Sequence, residues 1–455
     1  VKAKGKGLQG LTSQLKDHLI HQALERRARR VDKEAAQPGP TGLADALSGH
    51  DPAIPERCYR LALHPNYQKL RIVKEGAANL GIPNPYFRVH QGIAGRTTRI
   101  DGHDYLNFSG YDYLGLSGHP EIRAAAKAAI DRYGTSVSAS RLVSGERPIH
   151  RELEAALAES HGVEDCVVFV SGHATNVTAV GYLFGPKDLI VHDTLIHNSA
   201  LQGIQLSGAR RLSFPHNDWA ALDALLTEHR RRYECVVIMI EGLYSMDGDF
   251  PDLPRFVEIK QRHHCFLMVD EAHSFGVMGP RGFGLADHFG MDGRDVDIWM
   301  GTLSKAMASC GGYIAGEAAL IEHLKLAAPG FVYSVGMTPA AAGAALASLR
   351  ILQAEPERAE RLRARARLFL NSAKAEGIDT GRSEGLSIIP AITGSSIRAG
   401  RLVQALFERG INVAPILYPA VEEKAARLRF FIGCEHSEAD VLQAVAALAE
   451  EYRRL

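Results

Sequence analysis

What this 455-residue chain lacks narrows its class first. Charge of either sign is not in excess: Lys+Arg and Asp+Glu both number 52, for a formal net charge of zero. That balance leaves no electrostatic footprint for nucleic acid or a membrane surface. Cysteines are few, namely Cys58, Cys166, Cys235, Cys265, Cys310 and Cys434, and none forms a C-x-x-C pair. Most sit inside apolar runs and read as buried, reduced thiols of a cytoplasmic protein. No apolar run is long enough to cross a bilayer. The N-terminus is charged and lacks the apolar core of a signal peptide. It begins with Val1 rather than Met, as a piece of a longer chain would. The twenty histidines include no H-E-x-x-H, so a zinc hydrolase has no support and no metal is expected. What remains, 46% hydrophobic and 23% charged residues, is the composition of an ordinary globular protein. The length suits a large domain with a smaller one.

Leu11, Leu15, Leu19 and Ala23 recur at four-residue spacing and predict a helix over 8–30, with Thr12 or Ser13 as cap. Arg26, Arg27, Arg29 and Arg30 close it, as a solvated face or a docking surface for an acidic partner. Pro38, Gly39, Pro40, Gly42, Pro52 and Pro55 mark a linker over 36–56. Between 166 and 316, apolar runs at Cys166–Val170, Leu189–His192, Val236–Ile240, Phe266–Val269, Ile298–Met300 and Tyr313–Ala315 alternate with helix-like stretches. Such runs predict an α/β domain with a mainly parallel sheet covered on both faces. A long charged helix, Glu355–Ala375, is followed by strands at Ile388–Ile392, Asn412–Ile416 and Arg427–Ile432 and a last helix, an α+β tail. The expected organisation is a helix and linker over 1–56, an arm over 57–110, a large domain over 111–335 and a small domain over 336–455. Gly5, Gly7 and Gly10 match a G-x-G-x-x-G spacing, but no strand precedes them and no βαβ unit surrounds them.

In such sheets ligands bind beyond the carboxyl ends of the strands. Asp270 follows one strand candidate; a carboxylate there is costly unless it meets a positive group, and a pyridinium nitrogen would be one. Lys305 follows the next, in Gly301-Thr302-Leu303-Ser304-Lys305, with small residues beyond it. Partial burial would lower its pKa and suit it as nucleophile and base. Taken singly, an Asp there reads as a cap and a Lys as a surface charge; the pair on neighbouring strand ends carries the meaning. Ser171-Gly172-His173-Ala174-Thr175-Asn176 opens a helix, whose free amides suit a phosphate. His197 could stack on a flat ring or be a satisfied structural histidine. The loop Glu241–Asp249 can bring Ser245 near a phenolic oxygen. Arg429, between apolar neighbours in a tail strand, needs an anion: a substrate carboxylate or a structural ion-pair partner.

With these motifs in one order, the chain from about residue 85 onward resembles the α-oxoamine synthases, a branch of the fold-type I pyridoxal-phosphate enzymes. The branch includes aminooxononanoate synthase, 2-amino-3-ketobutyrate ligase, aminolevulinate synthase and serine palmitoyltransferase. The anchors are Asn107–Leu116, Val143-Ser144-Gly145 with His150, Ser245-Met246-Asp247-Gly248-Asp249, Val269-Asp270-Glu271-Ala272-His273, Gly301–Lys305 and Arg427-Leu428-Arg429. Gly134–Arg141 and Pro415–Val421 look like the subgroup associated with polyketide synthases, in which such a domain offloads an acyl chain from a carrier protein.

The resemblance implies pyridoxal 5'-phosphate as cofactor. It implies Lys305 as the Schiff-base lysine, Asp270 as the pyridinium partner, His197 as the ring-stacking histidine, and His273 and Ser245 beside the phenolic oxygen. Gly172, His173 and Thr302 match phosphate binders, although some members have Phe where His173 stands. Ser334 matches a hydroxyl that reaches the phosphate of a partner subunit, which implies a homodimer with shared sites. Arg429 matches the carboxylate binder, and Tyr111 departs from the Asn of several members, which leaves the shape of the amino-acid pocket open. The implied reaction is a decarboxylative Claisen-type condensation of an amino acid with an acyl thioester, on coenzyme A or an acyl-carrier protein, giving an α-aminoketone. Lys305 moves protons, and His197 or His273 assists with hydrogen bonds. Ser136, Ser138 and Ala139 lean toward glycine, alanine or serine as substrate. The alternatives are an aminotransferase of the same fold and a non-catalytic partner subunit; Lys305, Asp270 and His273 together speak against the latter.

Overall fold

The six apolar runs, three to five residues long, become strands of a central sheet in a computed structural model that describes residues 13–36 and 54–454. Three short antiparallel strands come first, β1 (His90–Gln91), β2 (Thr97–Ile100) and β3 (His103–Asn107). The central sheet follows: β4 (Asp165–Phe169), β5 (Leu189–Asp193), β6 (Arg210–Phe214), β7 (Val236–Glu241), β8 (Phe266–Asp270), β9 (Ile298–Thr302) and β10 (Gly312–Gly316), in the order β4-β10-β9-β8-β7-β5-β6. β9, β8, β7, β5 and β6 run parallel, and β10 is antiparallel to both β4 and β9. Every residue of β5, β7, β9 and β10 is buried, as expected of a sheet covered on both faces. Val167, Ile190, Val237, Met239, Met268, Met300 and Ile314 pack with Val180, Ile204, Ile321 and Leu324 from the covering helices. Each such fully buried aliphatic contributes roughly 1.5–3 kcal/mol.

β8 and β9 extend one and two residues past their apolar runs, so Asp270 and Thr302 are the last residues of their strands rather than lying beyond them. β6 has no apolar run at all: Arg210, Arg211 and Ser213 are exposed. It lies at the sheet edge, where charged side chains block pairing with another chain.

Contacts divide the chain into two units. One is His90–Ala391 with Arg429–Ala446; the other holds the described residues up to Val89, with Ile392–Leu428 and Ala447–Arg454. These bounds are not those drawn from composition: residues 336–391 go with the central sheet, and 57–89 with the N-terminal helix. That helix is described over Ser13–Ala36 and runs further than the spacing predicts; residues 8–12 lie outside the described residues. Leu24 rests on Gly76 of the helix Pro65–Asn79, where an added Cβ would lie 2.8 Å from Leu24 Cδ2. The linker expected over 36–56 and the Gly5-Gly7-Gly10 spacing lie wholly or largely outside the described residues. In the tail, β11 (Ile388–Ile392), β12 (Ile411–Asn412), β13 (Ala414–Ile416) and β14 (Arg427–Phe431) include a separate three-stranded sheet of order β11-β14-β13. The long charged helix is Glu357–Ala375, preceded by a second helix, Pro339–Ala354. Pro356 separates them by holding Glu355 out of helical geometry.

All six cysteines are free, but Cys58, Cys235 and Cys310 are exposed, which corrects the expectation of burial. Their neighbours are turns and strand ends: Cys235 precedes β7, and Cys310 lies in the β9–β10 connection. No described helix is long and apolar enough to cross a membrane.

Candidate active site

The site begins with three adjacent strand ends. Glu241, the last residue of β7, pairs in register with Asp270, the last of β8, and Asp270 with Met300 of β9. Asp270 is 8% exposed. Its Oδ2 accepts from Asn176 Nδ2 at 2.8 Å and its Oδ1 from the Ala272 N–H at 2.9 Å. No ion pair to Asp270 exists among the described residues. Glu241 is 3% exposed; its Oε2 accepts a long bond from the Ser245 N–H at 3.4 Å, and Oε1 has no partner. Burial, with repulsion from Asp270, holds the Glu241 carboxyl well above its ordinary range.

Lys305 lies three residues beyond β9, half-buried, with its amine 5.8 Å from the Tyr111 ring centroid. Burial brings its pKa down to about 8, against the pull of Asp270 and Glu241 and with the push of Arg429. Far more of this amine than of a free lysine is therefore neutral near physiological pH, the form that attacks a carbonyl.

Two histidines in this cluster are neutral, and hydrogen bonds decide the tautomer of one. His197 caps the helix Asn198–Ser207, its Nδ1 accepting from the Ser199 N–H at 3.3 Å. Ser199 Oγ accepts from Asn176 Nδ2 at 3.0 Å and donates its proton to His197 Nδ1 at 2.7 Å. The ring proton of His197 is thereby placed on Nε2. Burial lowers its pKa against the pull of Asp270, and the charges of Lys305 and Arg429 reinforce burial. His273 Nδ1 shares a 2.8 Å hydrogen bond with Tyr113 OH, and burial holds this imidazole far below its ordinary pKa. Tyr111 stands edge-on to His273 and to Phe431, with centroids 6.2 and 4.8 Å apart.

The helix Gly172–Leu183 starts against β9 and β10 because glycine allows it. A Cβ on Gly172 would lie 2.6 Å from Thr302 Oγ1, and one on Gly312 would lie 2.6 Å from Gly172 Cα. Ser171 caps this helix, and the N–H groups of Gly172 and His173, in its first turn, have no intrahelical partner. The His173 side chain is exposed. Thr302 Oγ1 donates to the Gly311 carbonyl at 3.1 Å and lies 2.9 Å from Ser304 Oγ.

Arg429, buried on β14, donates from Nη1 to the Ser245 carbonyl at 2.8 Å and contacts Met246 Sδ at 3.4 Å. Its guanidinium lies 4.5 Å from the Phe431 ring centroid. Ser245 is buried in the loop after β7. Ser334 stands apart: its hydroxyl donates to the Val335 carbonyl at 3.2 Å, and it shares a small cavity with Arg141, Phe169 and Val170. The structure thus gathers Lys305, Asp270, His197, His273, Ser245, Arg429 and Tyr111, with Gly172 and Thr302 at the helix start. Asn176, Ser199, Tyr113 and Glu241 belong to the same network and were not singled out by sequence. Glu241 alone had a signal, a carboxylate at a strand end like Asp270.

These residues fit pyridoxal phosphate. Asp270 is a buried carboxylate with two hydrogen-bond donors and no cation, which a protonated ring nitrogen would complete. Lys305 supplies an amine of lowered pKa, and the Gly172 helix start an anion-binding end.

Residues 103–448 match the family model of aminotransferase class I and II. The 8-amino-7-oxononanoate synthase of Symbiobacterium thermophilum is 39% identical over 356 residues, 78% of this chain and 90% of that protein. Serine palmitoyltransferase of Sphingomonas wittichii superposes with a TM-score of 0.82 at 28% identity, covering 86% of this chain and 98% of that one. A structure of SPT with PLP internal aldimine matches with the same coverage and TM-score at 27% identity. A buried strand-end carboxylate, a lysine of lowered pKa beside it and similarity over most of the chain converge: this protein belongs to the α-oxoamine synthase family of pyridoxal-phosphate-dependent enzymes.

Proposed function

We propose that the protein condenses a small amino acid with an acyl thioester, releasing carbon dioxide and thiol and yielding an α-aminoketone. The observation that carries this reading is the pairing of Lys305, with its pKa near 8, and Asp270 on adjacent strand ends. Pyridoxal phosphate, when bound, supplies the electron sink for a carbanion at the amino acid Cα. Lys305 would hold the cofactor through its amine, and the same amine, of lowered pKa, would take the Cα proton and return one. Asp270, fixed by Asn176 and the Ala272 N–H, would keep the ring nitrogen protonated. Gly172, His173 and Thr302 would hold the phosphate. His197, Ser245 and His273 would hold the cofactor ring. Arg429 grips the substrate carboxylate, and its bond to the Ser245 carbonyl sets the angle of the guanidinium. Tyr111, edge-on to Phe431, limits the amino-acid pocket.

The reading extends to a homodimer of the cytoplasm in which Ser334 reaches the partner's phosphate. Exposed apolar side chains on either side of it, Tyr333 at 87% and Val335 at 50% of full exposure, support an interface there. It extends also to an acyl-carrier protein as thioester donor in polyketide offloading, supported by the Gly134–Arg141 and Pro415–Val421 segments.

The test is an absorbance titration of the cofactor-loaded protein with glycine, alanine and serine in turn, followed by acyl-CoA or acyl-carrier thioester, with carbon dioxide measured. Carbon dioxide released only when both substrates are present supports condensation and identifies the amino acid. Conversion of the cofactor to its amine form by amino acid alone, without carbon dioxide, makes it an aminotransferase. Turnover by Lys305→Ala would overturn the assignment of that lysine.

A further inference from the structure

Outside the site, a second cluster of buried titratable groups spans three neighbouring strand ends. Asp193 ends β5, His216 follows β6, and Asp249 closes the loop after β7. His216 Nδ1 lies 3.0 and 3.1 Å from the two Asp193 oxygens, and Nε2 lies 2.8 Å from Asp249 Oδ2. Both ring nitrogens face carboxylate oxygens, so both carry protons and the ring is an imidazolium. Asp193 also accepts from the Leu195 and Asn217 N–H groups, and Asn217 Nδ2 bonds Asp249 and the Phe250 carbonyl. The Tyr244 ring stands edge-on to His216, with centroids 4.4 Å apart. The titratable groups facing His216 are thus Asp193 from β5 and Asp249 and Tyr244 from the loop.

His216 touches that loop at both ends. Tyr244 opens it and Asp249 closes it, the Tyr244 N–H donating to the Asp249 carbonyl at 2.8 Å and the Gly248 N–H to the Tyr244 carbonyl at 2.9 Å. Between them lie Ser245 and Met246, whose carbonyl and sulfur hold Arg429.

We propose that His216 is a positioning residue: clamped between Asp193 and Asp249, it fixes the Tyr244–Asp249 loop and through Ser245 aims Arg429 at the amino-acid carboxylate. This rests on the reading of Arg429 as the carboxylate binder. The carboxylates raise the His216 pKa to about 9, against burial, which alone would lower it. The clamp is therefore charged and closed at physiological pH and opens only in alkali.

The experiment uses the cofactor-loaded enzyme and compares His216→Gln, Asp249→Asn and Arg429→Lys. Displacing a guanidinium by about an ångström costs on the order of 10- to 100-fold. His216→Gln is expected to raise the amino-acid KM, and its dissociation constant read from cofactor absorbance, by that factor. The thioester KM should stay unchanged, and the loss should not add to that of Arg429→Lys. The amino-acid KM of the parent enzyme should rise above a pH of about 9, and this break should move down in Asp249→Asn, which the substrate's own amine cannot cause. Equal losses for both substrates, losses that add to Arg429→Lys, or a break that does not move in Asp249→Asn would each overturn the proposal. If Arg429→Lys itself leaves amino-acid binding intact, the Arg429 reading fails instead.

Discussion

Asn176 Nδ2 divides its two protons between Asp270 Oδ2 at 2.8 Å and Ser199 Oγ at 3.0 Å, so one amide group serves both the strand-end carboxylate and the His197 relay. Removing it leaves a buried carboxylate short of a donor and frees the Ser199 hydroxyl to turn. A hydrogen bond to a charged group contributes about 1.5–3 kcal/mol. Asn176→Ala should therefore cost kcat roughly 10- to 100-fold while the protein still takes up cofactor. Steady-state kinetics beside a cofactor titration measures both; an unchanged kcat would show that the relay carries nothing.

The lowered pKa of Lys305 predicts how the cofactor-free protein reconstitutes. Only the neutral amine attacks the cofactor aldehyde, and burial keeps this amine neutral above a pH of about 8 instead of 10.5. The rate of pyridoxal-phosphate uptake should rise with pH and level off just above 8. A rate that climbs steadily toward pH 10 would mean an ordinary, solvated lysine.

Gly172 admits no side chain. An alanine Cβ there would lie 2.6 Å from Thr302 Oγ1 and 2.9 Å from Thr302 Cβ, so the helix start must move. Overpacking of this kind costs about 1–3 kcal/mol. Gly172→Ala should weaken cofactor binding by roughly tenfold or more, read as the dissociation constant for pyridoxal phosphate, with folding of the cofactor-free protein affected less.

The same His216 that holds the loop should shape the pH dependence of stability. Its pKa rises on folding from an ordinary 6.5 to about 9. The stabilisation is fully present below 6.5 and is lost as pH climbs through about 9. Its size is about 3 kcal/mol. Denaturant unfolding across that window should show the decline, and His216→Gln should flatten it.

The parts legible in the sequence were those where a local pattern coincides with a local requirement. Asp270 and Lys305 each follow a run of buried apolar residues, and strand ends are where ligands gather, so position and chemistry could be read together. β6 was invisible because an edge strand with Arg210, Arg211 and Ser213 facing solvent has no apolar signature. The direction of β10 was equally hidden, since an apolar run between glycines looks the same in either sense. Asn176 sat within a stretch noted for its helix start, yet its bond to Asp270 joins residues 94 apart, which no spacing reveals. Glu241 resembled Asp270 in placement but offered no partner to name. The helix Pro339–Ala354 is mostly buried, so it lacks the polar face that outlines an amphipathic helix.

The antiparallel course of β10 has a mechanical consequence for Lys305. Thr302 and Gly312 are direct cross-strand neighbours, so the span between them is anchored at both feet to the same sheet. Within it the Leu303 N–H bonds the Gly311 carbonyl, the Ser309 N–H bonds the Leu303 carbonyl, and the Ala308 N–H bonds the Lys305 carbonyl, each at 2.9 Å. A bridge so short and so cross-braced cannot drift as the loops leading into helices can. The amine travels only by rotating its own four-carbon arm, a stiff mount for the group proposed to hold the cofactor and to return to one place after each proton transfer.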